Sequence, residues 1–314
     1  MEISRLRLLL SLSMGIVAVS LASILIRFAQ AEGMPTLTIA AWRLIFASAI
    51  LLPYAWATRR AEIRLLSRRE WLLLATSGVF LGFHFATWIA SLGYTSVASS
   101  VVLVSMGPVF VGLGSWLFLG ERPGLKMSMG IALAAIGSII ISWDDFGQGQ
   151  DRLLGDLLAL AGAVFVAGYL MIGRKVRGKL SLATYIAIVY GVAMLTLILI
   201  VIVLRSPMFG FSPAAYGYTL ALALGPQIVG HSTLNWALRY LSATFVSIVT
   251  LAEPVGSGIL AYIILGEAIT WLTGIGAVAV LSGIYIASRA ELDTTQKNQP
   301  PAPRSRSNTP SPER

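Results

Sequence analysis

Ten apolar stretches, each about twenty residues long, follow one another through this 314-residue chain. A run of that length is what an α-helix needs to cross about 30 Å of hydrocarbon. Their expected limits are Leu8–Phe28, Thr36–Ala57, Glu70–Leu92, Ala98–Leu119, Lys126–Trp143, Leu153–Gly173, Ser181–Leu204, Ser212–Trp236, Ala243–Leu265 and Ile269–Ser288. The polar segments between them are short, which excludes a large soluble catalytic domain. Composition agrees: 56% of residues are hydrophobic and 12% charged, against roughly 45–50% and about 25% in soluble domains. A mean hydropathy of +0.80 over the whole length requires many apolar segments, since one anchor on a soluble domain would be diluted. The fold expected is an all-α polytopic membrane protein embedded in the lipid bilayer.

The net charge of +9 does not point to nucleic acid, because the basic residues sit in short loops instead of on one folded face. They read as topology signals. An even number of spans puts both termini on one side, and nineteen of the 23 basic residues then share that side, while only Arg27, Arg152 and Arg205 face the other. The positive-inside rule makes the crowded side the cytoplasm. Both termini are expected there, in the inner (cell) membrane of a bacterium. Arg5 and Arg7 before an apolar run, with Ala29-Gln30-Ala31 after it, resemble a signal peptide, but the run is too long and Arg27 interrupts it, so a retained first helix is expected.

Shifted by 146 positions, the chain matches itself. Tyr94, Ser96, Pro108, Val109, Gly112, Leu119, Gly120, Glu121, Gly130, Gly137, Ile140 and Ser142 meet Tyr240, Ser242, Pro254, Val255, Gly258, Leu265, Gly266, Glu267, Gly276, Gly283, Ile286 and Ser288 without a gap. Five spans per copy is an odd number, so the second copy enters the membrane from the opposite side. The ten transmembrane helices are therefore expected as two inverted five-helix repeats, an arrangement suited to alternating access.

The paired Pro108 and Pro254 helices, the Leu119-Gly120-Glu121 and Leu265-Gly266-Glu267 motifs, Arg43 in the second span and the five-plus-five layout resemble the drug/metabolite transporter superfamily, specifically its ten-helix members with two EamA-type domains. The resemblance covers about residues 8 to 288. It implies EamA-like repeats at 1–148 and 149–289, followed by a tail at 290–314. It also implies a central substrate cavity lined by the first four helices of each repeat, with the fifth and tenth packed outside. Gly130, Ala134 and Gly137, and Gly276 and Gly283, form small-residue stripes suited to close packing in lipid.

No Walker-type loop, dinucleotide fingerprint or metal-ligand spacing occurs, and the chain has no cysteine and two histidines. No cofactor and no metal are expected, and movement of a solute would be passive or coupled to protons or ions. Charges at membrane depth are costly, so they are the candidates for function. Glu253 lies mid-span, beside Pro254, which frees a carbonyl one turn earlier. It is a candidate proton carrier or counter-charge, against a protonated structural acid. Its counterpart in the first repeat is Gly107, next to Pro108.

Arg43 suits bidentate binding of a carboxylate or phosphate, or it snorkels or pairs with a helix carbonyl end. His84 and His231, 147 residues apart, suggest two gates, one nearer each surface, or else interhelical hydrogen-bond donors. Trp88 lies one turn beyond His84, and Asn235 and Trp236 one turn beyond His231. Together they suit a pocket wall for a planar or cationic ligand, or interior packing. Trp56, Trp71, Trp143 and Trp271 belong to the interfacial aromatic belt. Glu121 and Glu267 read as loop or cap residues, the alternative being a closed gate on one side. Asp144 to Asp156 form an acidic outer turn.

The tail from Ala290 to Arg314, with five prolines, cannot bury a core and is expected to be disordered. The function these observations favour is a secondary transporter of a small organic metabolite, an amino acid or derivative or a drug-like solute, acting as a monomer or homodimer. The alternatives are an intramembrane enzyme, with Glu253 and the histidines as acid and base, and a non-transporting receptor or sensor.

Overall fold

A computed structural model describes residues 5–91, 94, 95, 100, 103–141, 143, 151–266 and 269–297. Among the described residues all regular structure is helical, and it groups into ten elements. Helix α1 runs Arg5–Ser20 and continues as Ala22–Ala31. Helix α2 is Thr36–Arg64, α3 is Arg68–Ser91, and α4 is Gly107–Gly114 extended by wide turns over Ser115–Leu119. Helix α5 is Leu125–Ile141, α6 is Arg152–Arg177 and α7 is Leu182–Val203. Helix α8 is Pro213–Leu222, continued as Ala223–His231 and Ser232–Ala237. Helix α9 is Ala243–Thr250 followed by Glu253–Leu265, and α10 is Trp271–Lys297.

Seven of these are long and apolar enough to cross a bilayer. The other three depart from simple spans for visible reasons. In α8, Pro226 lacks the amide that would close an α-turn, and Ala223–His231 runs as wide π turns. The continuous described part of α4 starts at Gly107, with Ser100, Leu103 and Val104 helical before it, and α5 has 17 residues. Helix α10 passes the expected end at Ser288 and reaches Lys297. Residues 298–314, Asp144, Asp145 and Glu267 lie outside the described residues.

Large apolar side chains face outward, among them Met14, Leu117, Phe118, Leu199 and Ile263. Only a lipid surround makes that favourable. Trp56, Trp71, Trp143 and Trp271 are all exposed near helix ends, where an amphipathic ring meets the headgroup layer.

The packing has the symmetry of an inverted repeat. Helix α3 packs on α6 as α8 packs on α1, and α4 packs on α6 as α9 packs on α1. The self-paired contacts are α2 with α7 and α5 with α10. In the last pair a Cβ added at Gly137 would lie 2.7 Å from the Gly276 carbonyl oxygen, and one at Gly130 would lie 2.8 Å from that of Gly283. Position 130 of one copy thus meets the counterpart of position 137 in the other, which a two-fold relation between antiparallel helices demands.

The motif glycines Gly120 and Gly266 have φ of 70°, the left-handed conformation that ends α4 and α9 and that a Cβ would disfavour. The same turn brings the Glu121 amide to the Ser115 carbonyl at 3.1 Å.

The broken helices meet inside the bundle, where α1 packs on the second fragment of α9. The α9 fragments join at Leu251–Ala252, and Pro254 occupies the first turn of the second, as Pro108 does at the start of Gly107–Gly114. In α1 the Ser20 hydroxyl bonds back to the Ile16 carbonyl at 2.8 Å, a contact that bends helices. The bend rests on Gly256, where a Cβ would lie 2.2 Å from the Ser20 hydroxyl.

Candidate functional site

Arg43 of α2 organises the interior. Its side chain is 4% exposed, and its guanidinium carbon lies 4.7 Å from the centroid of the Phe85 ring on α3. Stacking on an aromatic face is a favourable cation–π arrangement, but it leaves the in-plane N–H donors unused. Nε and Nη2 are both buried without a hydrogen-bond partner. A guanidinium holds five donors, so two of the nitrogens of this buried group have donors to offer that no described residue takes up.

Glu253 of α9 faces the same interior. Its charge and that of Arg43 act on each other, yet no direct ion pair joins them among the described residues. The local contacts of Glu253 run through its backbone: the Ser20 hydroxyl donates to its carbonyl at 3.3 Å, and the Ser257 hydroxyl donates to the Ser20 carbonyl at 3.0 Å. These pin the acid to the α1 bend while its carboxylate makes no hydrogen bond to a described residue. The counterpart contact in the other repeat is apolar, with Gly107 against Val166.

The two histidines do not separate toward opposite surfaces, as their spacing suggested. His84 adjoins Phe85 and His231 meets the same ring edge-on, with centroids 5.6 Å apart. The breaks and bends of α8 bring His231 to this level, which a uniform rise per residue does not anticipate. His84 Nδ1 lies 2.9 Å from the Gly162 carbonyl of α6, an interhelical bond. Its ring stacks on Trp88 with a 10° interplanar angle, and Trp88 Nε1 is buried and unpartnered.

Asn235 is fully buried, accepts from the Tyr169 hydroxyl at 2.7 Å and donates to the Tyr190 hydroxyl at 3.1 Å. Both tyrosines lie within electrostatic range of Arg43. Gln227, in the wide turns of α8, is also fully buried, with both amide atoms unpartnered. Trp236 instead packs edge-on against Tyr240 at 5.2 Å, so the structure does not bring its ring against Arg43.

Arginine, histidines and glutamate are the residues a hydropathy reading singles out. It passes over Phe85, Tyr169, Tyr190 and Gln227. Aromatics in apolar runs look like filler, and the sequence signal that could have found Gln227 is Pro226 beside it, which disfavours regular helix in α8.

Polar ties join the two halves at both ends. On the Lys/Arg-rich side, Glu121 pairs with Arg174 at 2.9 Å, and Arg174 also donates to the Leu238 carbonyl at 3.1 Å. There the Glu62 carboxylate caps α7 through the Ser181 amide and hydroxyl at 2.7 and 2.6 Å. Arg177, counted among the loop charges by its position, is 1% exposed and donates to the carbonyls of Asn235 and Leu180. At the opposite end Glu32 meets Ser212 at 2.6 Å, Trp42 donates to the Met208 carbonyl at 2.9 Å, and Asp156 accepts from Thr95 at 2.8 Å.

The family and the curated relatives this chain matches are described as transporters. The family described as "EamA-like transporter family" matches residues 7–143 and again 153–289. An "Uncharacterized transporter" of Archaeoglobus fulgidus is 28% identical over 295 residues, covering 91% of this chain and 98% of that protein. The "Uncharacterized transporter YyaM" of Bacillus subtilis is 25% identical over 264 residues, covering 79% and 83%. A solved crystal structure superposes with a TM-score of 0.77 at 18% identity over 93% of this chain and 99% of its own, a likeness of fold. With both halves matched, the chain belongs to the EamA-like transporter family, as a membrane transporter of a small molecule and not an enzyme.

Proposed function

We propose that the protein is a secondary transporter carrying a small organic metabolite, with an amino acid or close derivative as the best-fitting class, by alternating access between two conformations of its paired repeats. The observation that carries this reading is the separation of two opposite charges in one interior. Arg43 presents unpartnered guanidinium donors, and Glu253 presents a carboxylate without a hydrogen bond.

A zwitterion satisfies both, its carboxylate on Arg43 and its ammonium on Glu253. His84, Trp88, His231 and the Tyr169–Asn235–Tyr190 cluster form the wall, and Trp236 stands at its margin. Such a solute removes a penalty of about 1–3 kcal/mol for each buried group left unpaired. The helix breaks at Pro108 and Pro254 supply hinges where each repeat bends, and the repeats at 1–148 and 149–289 are the moving units.

Glu253 also suits proton coupling, since an acid that meets a cation in one state and a proton in another links the two fluxes. The termini face the cytoplasm of a bacterial inner membrane, an assignment supported by the basic loops. Monomer and homodimer both suit the fold.

Uptake of an amino-acid panel into proteoliposomes tests the reading, with the methyl ester and the N-acetyl form of each solute that moves. Both derivatives should fail to compete, each lacking one charge. Competition by either derivative at parity with the parent would defeat the two-ended site.

A further inference from the structure

The outer wall between α4 and α5 holds a groove of about 500 Å³ whose walls are mainly apolar. Gly112, Leu113, Ile131 and Ala132 line its length, while Trp116 and Arg122 stand at one end. Arg122 is exposed, and its guanidinium carbon lies 5.7 Å from the Trp116 centroid. Its charged neighbours are engaged elsewhere, Glu121 with Arg174 and Lys126 with Asp293 at 2.9 Å. Arg122 itself forms no ion pair among the described residues. A full positive charge thus sits at the mouth of an apolar slot that opens sideways.

The mouth and the slot require one ligand with two chemistries. At ~30 Å³ for a water-sized group, the volume holds on the order of sixteen such groups, the bulk of one acyl chain. Trp116 marks the depth where hydrocarbon gives way to headgroups, and Arg122 lies beyond it on the polar side. In the second repeat the positions equivalent to Trp116 and Arg122 are Tyr262 and Ala268. The aromatic persists and the cation does not, so the charged mouth belongs to one leaflet.

We propose that this groove binds one anionic phospholipid, its phosphate on Arg122 and an acyl chain along Gly112, Leu113, Ile131 and Ala132. The site is separate from the Arg43–Glu253 interior and does not depend on the transported solute.

The test is a titration of the purified full-length protein with dioleoyl phosphatidylglycerol and dioleoyl phosphatidylcholine, read by native mass spectrometry as the first lipid retained. Phosphatidylglycerol should be preferred. Arg122→Gln should cut its retention about fivefold, the contribution of one basic residue at an anionic surface, and leave phosphatidylcholine unchanged. Ala132→Phe, at an exposed α5 position, should fill the slot and abolish the first retained lipid of either kind. Arg60 also lies over a tryptophan, Trp56, at 5.1 Å, and Arg60→Gln should behave as wild type. Equal retention by Arg122→Gln and wild type would overturn the proposal, as would an equal loss in Arg60→Gln. So would displacement of the lipid by millimolar inorganic phosphate, which would make the site a simple anion site.

Discussion

The crossing of α5 and α10 can be tested one atom at a time. A methyl group at Gly276 would lie 2.6 Å from the Gly137 carbonyl oxygen and 2.9 Å from the Ile141 amide nitrogen. Both are backbone atoms, so no side chain can turn aside. Ordinary contact begins near 3.4 Å, and the helices must part by about 0.8 Å. A gap of that size forfeits roughly a quarter to a half of the dispersion well for each atom pair along the seam, and overpacking of this kind costs about 1–3 kcal/mol.

Gly274 provides the control within the same helix, because nothing lies within 4 Å of a Cβ built there. Gly274→Ala should be neutral or stabilise by about 0.5–1 kcal/mol through helix propensity. Thermal unfolding of both variants in detergent gives the comparison. Gly276→Ala should melt well below wild type, and adding Gly137→Ala should cost little more, since both methyls strain one contact. Equal melting of Gly276→Ala and Gly274→Ala, or strict additivity of the double variant, would refute the backbone-to-backbone crossing.

Arg43→Lys keeps the charge but loses the planar fork and the stack on Phe85; initial uptake rates should fall about 10–100-fold, and rates within twofold of wild type would remove the guanidinium from the site. Glu121→Ala removes the acceptor that holds Arg174 and should raise modification of a cysteine introduced at Leu238 by a membrane-permeant maleimide, a change absent if that end is held shut by other contacts. Because the chain has no native cysteine, single cysteines at Leu65 and Phe209, both exposed, report topology cleanly. An impermeant maleimide applied to intact cells should label Phe209→Cys and spare Leu65→Cys, and the reverse pattern would invert the orientation.

The spans were legible in the sequence because lipid imposes one rule, that a long apolar run must be a helix. The repeat was legible because Pro108, Gly120, Gly130 and Gly137 do backbone work that few other residues can do. Their counterparts recur 146 positions later for the same reason. The α1 bend was not legible, because it depends on a hydroxyl bonding back to Ile16 and on Gly256 of a distant helix accepting the bulge.

The candidate site was half legible. Arg43 and Glu253 stood out as charges at membrane depth, but their neighbours could not be named, since which tyrosine meets which amide is set by helix rotation. The histidine gates were misplaced because a constant rise per residue fails across the wide turns of α8. Arg177 looked like a loop cation because proximity to Arg174 and Lys175 in sequence says nothing about which of them turns inward.

The most direct measurement on the central claim is the pH profile of solute uptake by Glu253→Gln in proteoliposomes. The amide matches the acid in size and can still hydrogen-bond, so a structural role survives the change while a charge that must appear or disappear in each cycle does not. The account predicts normal insertion and unfolding behaviour, with most uptake lost or with residual uptake flat across pH. Uptake equal to wild type at every pH would contradict it and assign Glu253 to packing.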